Sequence, residues 1–345
     1  MQQIETIILY CLKQLNGERT VFSIFHLLNG KKSSQTIQDA HLFDLKRFFG
    51  TFEQMTRETF ETMIQWLEDQ QKIYSIGQQR YRITKEGERQ LEVQKVPEYI
   101  NGWDFQPYTT LFWERLSLLI QVASNLVYQE STYIPIQKNK QIHDWVKAVL
   151  SGLNIPKREI GGAVLAELQA CFDDCHGVNP SILVFRLSGY RQIGLTAEQA
   201  ARKFNLNYYD YHAEFINALH FLIQKIDRNK RSLPILQELF RNIQPSRPLT
   251  SSAQRTWELW NQGSLIGQIA ASRQLKLSTI EDHFVEFALH LPDFSIDSYV
   301  SPSLQKEILD ASKEIETKQL KLIKNKVQTA SYFQIRLVIA KYGVQ

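Results

Sequence analysis

The stretch Ser252–Leu289, SAQRTWELWNQGSLIGQIAASRQLKLSTIEDHFVEFAL, constrains the chain more than any other. Its first amphipathic segment, Gln254–Gln262, stops at Gly263. Glycine takes the left-handed conformation past a helix end without penalty. Ser264 is placed to cap a short helix through Ala271, with Ile266, Ile269 and Ala270 on one face. A tight turn around Leu275 follows. Ser278 then stands where a second helix would begin, with Glu281 three residues on, the spacing of a capping box. Ile280, Phe284 and Phe287 supply that helix with an apolar face, and Ala270-Ala271 is small enough for two helices to cross closely. The stretch predicts a helix-turn-helix.

Residues 1–95 read as a small domain of another kind. Ile4, Ile7, Ile8, Cys11, Leu12 and Leu15 recur at helical spacing over Ile4–Leu15, and a second helix over Val21–Leu28 is stopped by Asn29-Gly30. A third starts at Thr56 and carries Phe60, Met63, Ile64 and Leu67; Thr56-x-x-Thr59 lacks the full capping box. Two short alternating segments, Lys72–Ile76 and Arg80–Thr84, flank a Gly77-Gln78-Gln79 turn and predict a β-hairpin. A long helix followed by a hairpin is the outline of a winged helix.

Between these ends the chain is helical by pattern. Thr110–Tyr128, Gln141–Leu150 and Gly161–Asp173 show apolar residues at threes and fours, and Pro97, Pro107, Pro135, Pro156 and Pro180 punctuate the gaps. Gly194–Ile223 echoes the later motif, with Thr196 as N-cap, Ala200-Ala201 as the crossing, Leu206 in the turn and Tyr209–Ile223 as the second helix. It reads either as a degenerate helix-turn-helix or as an ordinary helical hairpin. Pro245 and Pro248 bound a linker. The expected fold is mainly α: an N-terminal winged helix with a short β-hairpin over 1–95, a helical middle domain over 96–248 with the echo at 194–223, and a C-terminal helix-turn-helix domain with a basic tail over 249–345.

Several function classes drop out. No apolar run approaches the roughly 20 residues needed to span a bilayer, so no membrane partner is expected. The start, MQQIETIILYCLKQLNG, has Glu5 ahead of its apolar run and no basic flank, so it reads as a helix and not as a secretory signal. Cys11, Cys171 and Cys175 form no extracellular disulfide pattern, and a cytoplasmic location is expected. Gly30-Lys31-Lys32-Ser33 lacks the upstream glycine and the preceding strand of a phosphate-binding loop, and zinc-protease, nucleophile-elbow and EF-hand patterns are absent. Cys171-x-x-x-Cys175-His176, beside Asp173 and Asp174, has no second pair of ligands nearby, which a zinc site requires. No enzyme activity, metal or cofactor is expected.

Net charge is only +4, but from Ser301 onward eight Lys and Arg face four Asp and Glu, so the whole excess sits in the tail. DNA contact must be sought locally. The second helix of the helix-turn-helix begins Ser278-Thr279-Ile280-Glu281-Asp282-His283, and adjacent carboxylates suit a phosphate-lined groove badly. The helix after Thr56 has the same fault, with Glu58, Glu61, Glu68 and Asp69. Three other surfaces fit better. Lys31, Lys32, Ser33 and Ser34 suit a phosphate, or form a polar loop. Arg80, Tyr81 and Arg82 of the hairpin could stack on an exposed base and hold its phosphate, although strand alternation puts Tyr81 opposite the arginines and allows it to be core. Lys318, Lys321 and Lys324 form either a diffuse phosphate contact or the solvated face of an amphipathic helix.

These residues also carry a family resemblance. Leu28–Ser34, Lys46–Gly50, Thr56–Gln70, Ile73–Ile83 and the closing Ile83-Thr84-Lys85-Glu86-Gly87 resemble the winged-helix domain of RecQ-type helicases. Ser252–Leu289 with Ala330–Ala340 (ASYFQIRLVIA) resembles the helix-turn-helix module at the C-terminus of many RecQ helicases. The order of the two, with no helicase motor, is similar to the YpbB-type proteins of Gram-positive bacteria, which are encoded beside a short RecQ-like helicase. The resemblance implies a DNA-binding accessory to such a helicase in DNA repair or recombination. Its partners would be the helicase and a duplex end or fork, since RecQ-family winged helices engage such DNA and some use the wing at the strand junction. A protein-interaction scaffold with little DNA affinity is the alternative, and a transcriptional regulator ranks third.

Overall fold

The computed structural model describes residues 3–173, 175–243, 249–315 and 319–343. Among them are eighteen α-helices and a single two-stranded sheet, the mainly α architecture that the spacing implies. The linker bounded by Pro245 and Pro248 lies outside the described residues, as does Lys318. The chain contacts gather into two units. Met1–Ile7 joins Leu91–Pro245, and Ile8–Gln90 joins Ser246–Gln345, so the two outer segments of the sequence share one unit.

The front of the chain contributes α1 (Gln3–Leu15), α2 (Phe22–Leu28), α3 (Ser34–Leu42), α4 (Arg57–Asp69), β1 (Ile73–Ser75), β2 (Tyr81–Ile83) and α5 (Lys85–Val93). β1 and β2 pair antiparallel in the register Ile73 to Ile83, Tyr74 to Arg82 and Ser75 to Tyr81. The hairpin turn is held against the domain: the Val21 N–H at the start of α2 donates to the Gln79 carbonyl at 2.8 Å. α3 is absent from the sequence reading. Its SQTIQDAHL buries Thr36, Gln38, Asp39 and His41, a largely polar face that apolar periodicity cannot reveal. The excursion carrying it is closed at its base, where Gly50 and Phe52 N–H groups donate to the Leu27 and Leu28 carbonyls at 2.9 and 2.8 Å.

The middle unit contains α6 (Gly102–Val127), α7 (Lys140–Gly152), α8 (Ile160–Phe172), α9 (Ser181–Val184), α10 (Ala197–Lys203), α11 (Tyr208–Arg228) and α12 (Pro234–Gln237). α11 is its central helix, buried at nearly every position from Tyr211 to Ile223. The segment before α6 runs along it. Asn217 Oδ1 and His220 Nδ1 accept the Tyr99 and Asn101 N–H groups at 2.9 and 3.0 Å, and the Gln224 amide donates to the Tyr99 carbonyl at 2.9 Å. Helical spacing places these three side chains on one face.

The end of the chain joins the unit of Ile8–Gln90 as α13 (Ser251–Asn261), α14 (Ile266–Arg273), α15 (Leu277–His290), α16 (Pro302–Glu314), α17 (Leu320–Lys326) and α18 (Tyr332–Tyr342). α15 packs on α13, α14 and α18, and also on α3 from the front of the chain. Trp257, Trp260, Phe284, Phe287, Phe294 and Tyr299 form its aromatic core, with the Trp260 indole N–H donating to the Tyr299 hydroxyl at 3.0 Å.

Candidate nucleic-acid interface

The helix-turn-helix is α14, the turn at Gln274-Leu275-Lys276, and α15. Gly263 ends the preceding α13 with φ +89°, as the sequence implies. The caps differ from expectation. α14 starts after Leu265, whose N–H donates to Gln268 Oε1 at 2.9 Å, so Ser264 is not the cap. Gln274 takes φ +53° in the turn, and the Lys276 carbonyl already accepts the Thr279 and Ile280 N–H groups at 2.9 and 3.3 Å. α15 therefore starts at Leu277, and Ser278 lies inside its first turn instead of capping it.

The same turn occurs between α10 and α11. The Thr196 N–H donates to Gln199 Oε1 at 2.9 Å, Asn205 has φ +56°, and Leu206 N–H returns to the Ala201 carbonyl at 2.9 Å. Leu275 N–H returns to Ala270 in the same way at 3.0 Å.

In both pairs the second helix is interior. Ile280, His283, Phe284, Val285, Glu286, Phe287 and Ala288 are all buried; Leu277 and Ser278 of the first turn are exposed, and Thr279, Glu281, Asp282, Leu289 and His290 are half-buried. The Glu281-Asp282 pair does not confront a phosphate groove. Asp282 is ion-paired with Arg336 of α18, whose Nε also donates to Gln38 Oε1 of α3 at 3.3 Å. Glu286 accepts the Thr250 N–H and, at 3.1 Å, its hydroxyl, and burial pushes its carboxyl up. His283 Nδ1 contacts the Thr256 hydroxyl at 2.8 Å, and that hydroxyl also receives Arg273. Burial, then the Arg273 charge, takes His283 down to about 4. Asp282, His283 and Glu286 are thus partnered within the fold, while Lys276 in the turn and Ser278 in the first turn of α15 stay exposed.

The other candidate surfaces are partly free. Lys31 and Lys32 are exposed and ion-paired to nothing among the described residues. They precede α3, whose N-cap is Ser33: its Oγ accepts the Thr36 N–H at 3.3 Å, and Ser34 opens the helix half-buried. Burial, then the neighbouring Lys31 and Arg57 charges, push His26 below the usual imidazole range. On the wing, Arg82 is exposed, whereas Arg80 lies in the turn, half-buried, with Nη2 on Gln78 Oε1 at 3.3 Å. Tyr81 is half-buried, and burial together with the Glu68 carboxylate pushes its hydroxyl up, which places it toward α4. The exposed aromatic is Tyr74, directly across the ladder from Arg82; strand register could have found it, since cross-strand partners share a face. α2 links the two surfaces, with the wing turn bonded at its start and Lys31 just past its end, about 10 Å of helix between them.

The tail divides differently from its composition. Lys321 is exposed on α17. Lys324 is not free: its ammonium donates to the Gln328 and Ala330 carbonyls at 2.6 and 2.7 Å. Lys326 pairs with Glu314, and Lys341 holds the Leu291 and Pro292 carbonyls at 3.2 and 2.6 Å. Among the described residues no cluster of three or more His, Cys, Asp or Glu could hold a metal, and no helix is long and apolar enough to cross a membrane.

A winged helix and a helix-turn-helix in one unit define a helix-turn-helix protein, and residues 252–339 match the family model described as a helix-turn-helix domain. Over 347 aligned residues the chain is 33% identical to Protein YpbB of Bacillus subtilis (strain 168), covering 99% of this chain and 98% of that one. The chain belongs to the YpbB family. No solved structure matches it.

Proposed function

We propose that this is a non-enzymatic, cytoplasmic DNA-binding accessory protein that contacts duplex ends or forks through their phosphates. It would work with a RecQ-like helicase in repair or recombination. The observation that carries the DNA part is the division of its polar groups. Most of the second helix of the helix-turn-helix is buried, with Asp282 and Glu286 partnered internally, while Lys31, Lys32, Arg82 and Lys321 stay exposed with no ion-pair partner among the described residues. Groove reading needs an exposed second helix; backbone binding needs only accessible cations. This argues against a sequence-reading regulator. The helicase partner is supported by the likeness of both ends to RecQ modules on a chain whose sequence holds no phosphate-binding loop. The buried α15 equally favours the second reading, a protein scaffold.

Anisotropy of a labelled fork and a blunt duplex, titrated at several salt concentrations, tests the proposal. Fork affinity should fall steeply with salt, and Lys31→Ala/Lys32→Ala should lower the salt slope by about 2. Absence of binding to either DNA at low salt would sink the DNA reading in favour of the scaffold.

A further inference from the structure

The middle unit presents a stacked aromatic pair at its surface. Tyr128, at the end of α6, stacks on Tyr190 with ring centroids 4.1 Å apart and planes 15° from parallel. One face of Tyr128 is thus covered, yet the residue is 62% exposed, so its other face is open to solvent. Tyr190 sits in a four-residue turn closed by reciprocal Gly189 and Gln192 backbone bonds of 2.9 and 3.2 Å. The turn is anchored twice more, by Ser124 Oγ accepting the Tyr190 N–H and by Ser188 Oγ accepting the Gly194 N–H, both at 3.0 Å.

Arg191 occupies the tip with φ +53°, a conformation that costs a non-glycine residue energy. Its guanidinium lies 5.1 Å from the centre of the Tyr190 ring, and no described carboxylate pairs with it. With Tyr128 stacked on one face of the Tyr190 ring and the Arg191 guanidinium over that same ring, an open π-face and an unpaired cation stand at the two ends of one stack, a chemistry that can hold an unpaired base and a phosphate of the same strand without regard to sequence.

We propose that Tyr128, Tyr190 and Arg191 form a binding platform for single-stranded nucleic acid, a base stacking on the free face of Tyr128 and Arg191, at the other end of the stack, taking a phosphate further along the strand. The proposal rests on the DNA-binding reading only for the choice of ligand, and it uses a unit that reading leaves unassigned.

The test is anisotropy of a labelled twenty-nucleotide oligo(dT) with the full chain, beside the blunt duplex. Tyr128→Ala should weaken oligo(dT) binding about tenfold to a hundredfold, and Arg191→Gln should flatten its salt dependence. Tyr128→Phe, which keeps the ring, should bind as the parent does, and duplex affinity should not change. A thermal melt of each variant excludes unfolding as the cause. Parent protein that binds duplex but not oligo(dT) overturns the platform and leaves the duplex reading standing. Oligo(dT) binding that Tyr128→Ala abolishes, with no duplex binding, does the reverse. Oligo(dT) binding unaltered in both Tyr128→Ala and Arg191→Gln also overturns it, and a peptide partner would then be the remaining use of the surface.

Discussion

Gly30 and Gly263 both follow a helix with positive φ, +68° and +89°, but their surroundings differ. A Cβ on Gly263 would meet nothing within 4 Å, whereas one on Gly30 would stand 2.9 Å from the Gly50 Cα. Backbone has no rotamer by which to retreat. Gly263→Ala should therefore cost about 1 kcal/mol, the left-handed penalty alone. Gly30→Ala should cost more, about 2–4 kcal/mol, because the base of the α3 excursion must open as well. Urea midpoints of the two variants check this; equal midpoints would mean that the Gly30–Gly50 approach holds nothing. At this scale the sequence is an uneven guide. Asn29-Gly30 and Gly263 are visible as stops, but the pairing of Gly30 with Gly50 is visible only in the fold.

Caps show the same limit for whole elements. Ser33, read as a phosphate ligand or loop residue, caps a helix that apolar spacing does not disclose, and Ser278, read as a cap, is not one. Ser33→Ala should destabilise the protein by about 1 kcal/mol, while Ser278→Ala should stay within about 0.5 kcal/mol of the parent. Chemical denaturation of both variants decides the matter, and a larger loss from Ser278→Ala would place the start of α15 wrongly. α15 itself explains why its role was hard to read. Ile280, Phe284 and Phe287 announce one apolar face, but His283, Val285 and Glu286 are buried too, because α3 and α18 cover further sides of the helix. A second covered face leaves a weak trace when its polar residues are satisfied by distant partners.

For the molecule as a whole, buried imidazoles make stability depend on pH. Burial lowers His41 to about 3, His290 to about 4 and His283 to about 4, and in the middle unit it lowers His220 to about 3. Unfolded, each titrates near 6.5, so below that value the unfolded chain binds more protons and stability falls with pH toward about 4. Asp39, Glu286, Asp210 and Glu214 act oppositely, since burial raises each and falling pH then favours their folded forms. Of the two opposing effects, that of the four histidines should prevail. The urea midpoint should therefore drop measurably from pH 7.5 to pH 5, and an unchanged midpoint would show that the buried imidazoles do not outweigh the buried carboxyls. The sequence alone determined the mainly helical class, the wing hairpin, the helix-turn-helix and most helix stops, because periodicity, glycine and capping act over a few neighbouring residues. Only the tertiary structure decided that the two outer segments share one unit, that α15 is largely interior, and that Lys324 and Asp282 are spent inside the fold while Lys31, Lys32 and Arg82 remain exposed. A charge near others in sequence reads as a surface charge; whether it is free depends on carbonyls and counter-ions brought to it from elsewhere in the chain.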